Sequence, residues 1–327
     1  MKIATIGTGF IVDTFLAAVQ EREGVTCEAV YSRRKETAQP LADKYQVGKI
    51  YTDVADVYED EAIDVIYVAS PNSLHYQYML DAIKHGKHVI CEKPFTSNEK
   101  EAAQIIELAK ENQVMLFEAI TTIHLPNYQW MKNNLEQLGQ IKFVQCNYSQ
   151  FSSRYNKLLS GETPNVFNLK FSGGALADIN IYNLHFVLNM FGKPDSVNYT
   201  ANKHENGIDT SGVVVMKYPE FIAECVGSKD ADGLNFVVIQ GEKGYLHVVG
   251  GANGCREVVL HINGQEKSVN MQLNDNLLYY ELGEFQAIYE SKDYQQCYEL
   301  LEHTRSVMNV FETARMSADI IYEADHK

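Results

Sequence analysis

The sequence predicts an α/β Rossmann fold, a doubly wound parallel sheet, followed by an α+β domain with an open, mostly antiparallel sheet. Three observations carry this. Up to residue 120, short apolar strands alternate with helical runs, the pattern of a parallel sheet with crossover helices. The first strand runs directly into a Gly7-Thr8-Gly9 turn and an apolar helix. Beyond residue 121, strands follow one another with hairpin signals between them, notably Glu242-Lys243-Gly244 and Asn263-Gly264. A chain of 327 residues exceeds a typical single domain, and the change of pattern sets the expected division at 1–120 and 121–327.

Taken in order, residues 2–6 form a strand, and Gly7-Thr8-Gly9-Phe10-Ile11 leads into a helical run over 14–19. That arrangement lets backbone N–H groups and a helix N-terminus hold a pyrophosphate. Gly7 permits the tight turn, and Gly9 lets the backbone approach phosphate oxygens. Val12 replaces the third glycine of the fingerprint, so the helix is expected to sit further from the strand. Strand 25–31 ends in Ser32-Arg33-Arg34, where NAD-selective folds place an acid. A hydroxyl and two guanidiniums suit a 2′-phosphate, which makes NADP the preferred cofactor, with NAD possible.

Helix 37–45, strand 50–51 and helix 54–59 follow, and strand 65–69 ends in Ser70-Pro71-Asn72-Ser73-Leu74-His75. Asn72 and His75 open helix 76–85 from the same sheet edge as Gly9; Asn72 suits an N-cap as well as a cofactor contact. Strand 88–91 runs straight into Glu92-Lys93-Pro94. Ligands of an open parallel sheet lie outside the strands' carboxyl ends, so this text points a carboxylate and an amine at the crevice. Pro94 confines Lys93 to extended conformations. Helix 98–112 and strand 114–118 complete the alternation.

In the second part, helix 127–138 precedes strand 141–151, and strands are expected at 211–218, 222–227, 235–240, 245–249 and 257–262, with closing helices at 277–289 and 304–325. Between them, a helix starting near Ala175 puts Asp178, Tyr182 and His185 within about 60° of one another, a polar stripe on an otherwise apolar helix. Ile181, Leu184, Leu188 and Phe191 form its buried face, and Gly192 and Pro194 end it. His185 reads equally as a core residue or a pocket residue. Segment 152–170, with Arg154, Tyr155 and Lys157, reads as a pocket rim.

Composition narrows the class. A formal charge of −15 argues against nucleic acid or an anionic membrane as partner. Six cysteines, Cys27, Cys91, Cys146, Cys225, Cys255 and Cys297, show neither C-x-x-C nor zinc spacing, which suits reduced thiols in a cytoplasm. Met1-Lys2 enters strand sequence at once, so no leader is expected, and no apolar run approaches the roughly 20 residues of a membrane span. His85 and His88 straddle a turn with no third ligand in view, so no metal is expected.

Four stretches, in this order, resemble the Gfo/Idh/MocA oxidoreductases. They are Ile6-Gly7-Thr8-Gly9-Phe10-Ile11, Ser70 to His75, Gly86 to Pro94, and Gly173-Gly174-Ala175-Leu176-Ala177-Asp178 with Tyr182. The resemblance implies that Lys93 lies beside nicotinamide and the substrate hydroxyl, that Lys93-Pro94 is cis, and that the C-terminal sheet carries the substrate pocket and an oligomer contact. It also implies a role for Tyr182, because the family places His or Tyr four residues after this aspartate. Tyrosine there is closer to glucose-fructose oxidoreductase and dihydrodiol dehydrogenase. Thr122 stands where relatives often carry arginine.

The chemistry expected is hydride transfer between nicotinamide and a hydroxyl or carbonyl carbon of a sugar, polyol or related alcohol. Loss of hydride requires the oxygen to lose a proton. A phenol titrates near ~10 and needs a nearby cation to act as a base at neutral pH. Tyr182 is assigned as acid/base, Lys93 as its electrostatic partner, Asp178 as the orienting group, and Tyr155 and His185 as substrate contacts; the roles of Lys93 and Tyr182 are interchangeable. The assignment requires amine and phenol to face one nicotinamide. Gly7, Thr8, Gly9, Phe10, Ile11, Ser32, Arg33, Arg34, Ser70, Pro71, Asn72, His75, Glu92 and Lys93 are the expected cofactor contacts. A non-catalytic NADP-binding sensor is the alternative, disfavoured because a sensor needs no proton relay. S-adenosylmethionine chemistry expects an acid where Ser32-Arg33 stands.

Overall fold

The computed structural model describes residues 1–326. The chain begins β1 (Lys2–Ile6), α1 (Phe10–Gln20), β2 (Thr26–Tyr31), α2 (Lys35–Tyr45), β3 (Lys49–Tyr51), α3 (Val54–Glu59), β4 (Val65–Val68), α4 (His75–Lys84), β5 (His88–Glu92), α5 (Glu99–Glu111) and β6 (Leu116–Ala119). It continues with α6 (Pro126–Asn134), β7 (Ile141–Ser149), α7 (Tyr155–Leu159), α8 (Ile181–Phe191), β8 (Ser196–Lys203), β9 (Asp209–Lys217) and β10 (Ile222–Ser228). Then come β11 (Phe236–Gly241), β12 (Gly244–Val249), α9 (Gly251–Gly254), β13 (Glu257–Ile262), β14 (Gln265–Val269), α10 (Leu278–Ser291) and α11 (Tyr294–Ser317).

Two compact units result, Met1–Ala119 with Asn274–Arg305, and Ile120–Leu273 with Ser306–Lys327. The first holds a parallel sheet of order β3-β2-β1-β4-β5-β6. All four residues of β4, Val65–Val68, are buried, because helices cover both faces of such a sheet. A single division after residue 120 does not describe the chain. The physical reason is α10, whose Leu278, Leu282, Phe285 and Ile288 share a core with Val12, Phe15 and Leu16 of α1. Arg22 adds to this by lying over the Tyr279 ring and donating from Nε to Gln286.

The second unit is built on an eight-stranded sheet of order β14-β13-β12-β11-β7-β10-β9-β8. Every neighbouring pair is antiparallel except β7 with β10. Along β10, Ala223, Cys225 and Gly227 are buried while Glu224 and Val226 are half-buried, the period-2 pattern of a strand with one covered face. α8 is anchored to that face: Asn180 Nδ2 donates to the Cys225 carbonyl (2.9 Å) and Asn183 Nδ2 to the Val226 carbonyl (3.0 Å). A Cβ on Gly227 would lie 2.7 Å from that of Asn180, so glycine sets how closely helix and sheet approach.

α11 starts ten residues before the helix expected at 304–325 and ends at Ser317. Cys297, Leu301, Thr304, Val307, Met308 and Phe311 are all buried along it, at the three- and four-residue steps of one helix face. The segment that follows folds back: Arg315, fully buried, takes Asp325 in a two-point ion pair of 2.6 and 2.7 Å and donates to the Ile320 carbonyl.

Candidate active site

In the first unit the strand order reverses between β1 and β4, and at such a switch point open α/β sheets bind ligands. Gly7 has a φ of 123°, and a Cβ there would lie 2.3 Å from the Ala69 carbonyl oxygen at the end of β4, so only glycine fits. Gly9 is the N-cap of α1, and a Cβ on it would meet nothing within 4 Å. The first N–H groups of a helix have no partner within it. Thr8, Phe10 and Ile11 flank Gly9, and this end of α1 therefore offers donors and a positive dipole end beside open space, which fits a dinucleotide pyrophosphate. Phe10 is 84 % exposed. Val12 in the third glycine's place is fully buried in the core with Ile3 and Phe15. At the next strand end, the Ser32 hydroxyl bonds that of Thr37, while Arg33 and Arg34 stand exposed at the entry to α2.

Glu92 and His75 have other duties than those expected. Glu92 is buried: its Oε1 accepts from the Tyr67 hydroxyl at 2.6 Å, and its Oε2 from the Lys93 N–H at 3.3 Å. Tyr67 is itself fully buried and stacked on Phe15, with ring centroids 3.7 Å apart. Burial raises the pKa of Glu92, against the Tyr67 hydrogen bond and the Lys93 charge, which both lower it. Its carboxyl is an internal prop under Lys93 rather than a group turned to the crevice. His75 is fully buried too, with Nδ1 3.0 Å from the Pro94 carbonyl and Nε2 2.9 Å from that of Ser70. Desolvation lowers its pKa. The ring clamps the loop after β4 to the loop after β5, so it is not an open cofactor contact. The Lys93-Pro94 bond is cis, and the Phe95 N–H that follows donates to Glu118 at 3.1 Å. Ser70, Pro71 and Asn72 lie at the carboxyl end of β4, partly exposed, with Asn72 starting a short 3-10 turn.

His88 and His85 have local tasks. His88 Nδ1 accepts the Met115 N–H at 2.8 Å, and His85 Nδ1 is 2.7 Å from the Asp81 carbonyl. Among the described residues no group of three or more His, Cys, Asp or Glu gathers as a metal site.

In the second unit the expected helix begins as a wide π-turn, Leu176–Asn180, before α8. Such i→i+5 turns recur at functional sites, and this one carries Asp178. Asp209, at the start of β9, caps it: Oδ2 accepts the Leu176 N–H at 2.7 Å and the Tyr199 hydroxyl at 2.8 Å. Gly174, with φ 108°, makes room, since a Cβ there would fall 1.9 Å from Asp209 Oδ1. The Tyr322 hydroxyl donates to the Gly173 carbonyl at 2.6 Å and holds the same turn from the C-terminal segment.

Asp178 and Tyr182 remain partly exposed, whereas His185 is fully buried, so the expected three-residue stripe is divided. Burial, and after it the neighbouring His185, pushes the pKa of His124 down to about 4. Tyr182 makes an edge contact with Tyr148 of β7, centroids 5.8 Å apart. Tyr155 begins α7, half-buried between Phe151 and Phe167. Sequence reasoning missed Lys229, whose ammonium bonds the Asp178 carboxylate. The signal was there: Lys229 continues the inward positions Ala223, Cys225 and Gly227.

A switch-point pyrophosphate cradle, a Ser-Arg-Arg corner and a propped lysine on one sheet edge define an NAD(P)-dependent oxidoreductase. Residues 1–120 match the oxidoreductase family with an NAD-binding Rossmann fold, and residues 130–247 match the GFO/IDH/MocA C-terminal domain. The chain belongs to the Gfo/Idh/MocA family. It is 36% identical to the uncharacterized oxidoreductase YgjR of Escherichia coli (strain K12), across 99% of this chain and 98% of that one. It is 32% identical to the scyllo-inositol 2-dehydrogenase (NADP(+)) IolU of Bacillus subtilis (strain 168), across 99% of each. The trans-1,2-dihydrobenzene-1,2-diol dehydrogenase of Xenopus laevis is 27% identical over 90% of this chain and 88% of its own. The fold is shared with KijD10, a 3-ketoreductase from Actinomadura kijaniata, at TM-score 0.84, 18% identity and 97% coverage of both chains. No helix among the described residues is long and apolar enough to cross a membrane.

Proposed function

We propose that this chain is an NADP-preferring dehydrogenase of a polyol, sugar or related alcohol, with Tyr182 as general acid/base, Lys93 as its electrostatic partner and Asp178 as the orienting group. The observation that carries the reading is Lys93. It leaves β5 at the ligand edge of the sheet, its own N–H bonded to a carboxylate buried beneath it. Bound nicotinamide supplies the hydride acceptor or donor. Gly7, Thr8, Gly9, Phe10 and Ile11 hold the pyrophosphate, Ser70, Pro71 and Asn72 flank it, and Ser32, Arg33 and Arg34 take the 2′-phosphate. The substrate oxygen exchanges its proton with the Tyr182 phenol, and positive charge from Lys93 favours the phenolate. Tyr155 and His185 complete the proposed substrate contacts. The NADP preference and the polyol class are supported by the name of the relative at 32% identity.

A homo-oligomer through the C-terminal sheet is supported by half-exposed Val215, Ile222 and Val249 on the sheet face opposite the core. Six thiols without disulfides suit a cytoplasm.

The test uses NADP⁺ with scyllo-inositol and with a panel of sugars and dihydrodiols. Lys93→Met and Tyr182→Phe should each lower kcat/KM well beyond about tenfold, about 1.4 kcal/mol of barrier. Their double variant should cost less than the product of the two, as groups acting in one step do. Either single variant within tenfold of wild type ends the assignment. Arg33→Ala should weaken NADPH more than NADH; equal weakening removes the 2′-phosphate role.

A further inference from the structure

We propose that Lys229 is a positioning residue for the Asp178–Tyr182 pair, holding Asp178 ionised and oriented and supplying a second cation for the phenol. The inference rests on Tyr182 being the acid/base and adds a cation from the same unit.

The location of Lys229 is heavily determined. Its N–H donates to the Thr210 carbonyl at 2.8 Å, and its carbonyl accepts from Ser152 at 2.9 Å, so its backbone is pinned on both sides. The next residue, Asp230, accepts the hydroxyls of Thr210, Ser211 and Ser228 at 2.7 to 2.9 Å, which fixes the turn beyond it. Period-2 alternation then turns the Lys229 side chain to the face that carries α8.

Burial is unequal across the ion pair. The Lys229 side chain is 8% exposed and that of Asp178 35%. A buried ammonium costs several kcal/mol before its partner repays it, and such pairs are often no more stable than hydrocarbon of the same size. Stability is therefore a poor explanation for keeping a lysine here. Its consequence for Asp178 is direct: the carboxylate that remains accessible is the one whose charge and orientation the lysine sets. Asp178 in the π-turn precedes Tyr182 in the first turn of α8 by four residues, so the phenol experiences both charges.

Other ionisable groups bear on the pair. Asp209 caps the turn from β9, buried and with its pKa raised by desolvation. Asp230 follows Lys229 on the β10 side with its pKa lowered by three hydroxyl hydrogen bonds, against the effect of burial. Tyr148 meets Tyr182 from β7, Tyr199 bonds Asp209, and His185 lies further along α8, beside His124 of the turn before α6. Lys229 brings a cation into this group, bonded to the Asp178 carboxylate.

The experiment titrates Tyr182 without substrate, as the phenolate absorbance difference between a protein and its Tyr182→Phe counterpart. In Lys229→Met the Tyr182 midpoint should rise by about one pH unit or more, because a carboxylate replaces an ion pair beside it. Lys229→Arg should keep the wild-type midpoint. Asp178→Asn, which leaves the ammonium uncompensated, should lower it and serves if Lys229→Met does not fold. An unmoved midpoint in Lys229→Met or in Asp178→Asn overturns the inference. Absence of turnover on every alcohol tried, with the midpoints moving as stated, would sink the proposed reaction and leave the role of Lys229 in the pair standing.

Discussion

Replacing Tyr67 by Phe removes one hydroxyl and leaves the ring stacked on Phe15 with its centroid 3.7 Å away. The packing term is therefore nearly unchanged, and what is lost is the 2.6 Å bond to Glu92. A hydrogen bond to a charged group contributes about 1.5–3 kcal/mol, and the orphaned carboxyl lies in a buried site. For a unit of this size each kcal/mol moves the midpoint by about 2–4 °C, so a fall in Tm of about 3–12 °C is expected. Glu92→Gln gives the contrast. An amide oxygen accepts the same hydroxyl, and a neutral amide avoids the desolvation cost that raises the pKa of Glu92. The loss should then be under about 1 kcal/mol, and NADPH affinity should hold within about threefold, a difference of only ~0.7 kcal/mol. Differential scanning calorimetry and NADPH fluorescence titration read both quantities. If Glu92→Gln weakened NADPH by tenfold or more with Tm unchanged, Glu92 would be a cofactor contact and its role as an internal prop would be wrong.

Two further outcomes follow from buried charge. His124 has its folded pKa pushed down to about 4 by burial, against about 6.5 when unfolded, so the fold favours the neutral ring. Its contribution is whole above the unfolded value and is lost as pH falls from about 6.5 to about 4, at most about 3 kcal/mol. His124→Gln should flatten that part of a urea-unfolding series between pH 7 and 4; an unchanged slope refutes the assignment. Asp325→Ala strands the fully buried Arg315 and should cost about 3–5 kcal/mol, most of it recovered by Arg315→Met in the same chain. Urea midpoints for the three proteins decide it, and no recovery in the double variant would show that the ion pair itself, not the uncompensated charge, holds the C-terminal segment.

The parts of this fold that backbone geometry dictates were legible in the text. Gly7 before an apolar helix implies a turn too tight for a Cβ, and the Ala69 carbonyl 2.3 Å from that position is the reason. Gly192 ends α8 with a φ of 76° where the apolar period stops. Where a side chain turns was less legible. β5 is covered on both faces, so Val89, Ile90, Cys91 and Glu92 are all buried and alternation cannot say which way Glu92 points. The apolar face of α10 announces that it is covered, but not that α1 covers it.

Lys229 is different, because the strand there has only one covered face and period 2 is informative. The expected strand 222–227 stops two positions short of it, at the last apolar inward residue. Extending the alternation through Ala223, Cys225 and Gly227 predicts an inward side chain at 229, and a lysine there violates the apolar rule. A buried ammonium demands a nearby carboxylate on whatever covers that face. Gly227 identifies the cover, since a helix close enough to need a glycine is the one that carries Asp178. Departures from a well-defined hydrophobic pattern therefore locate the chemistry of this unit better than the pattern itself, which locates only its core.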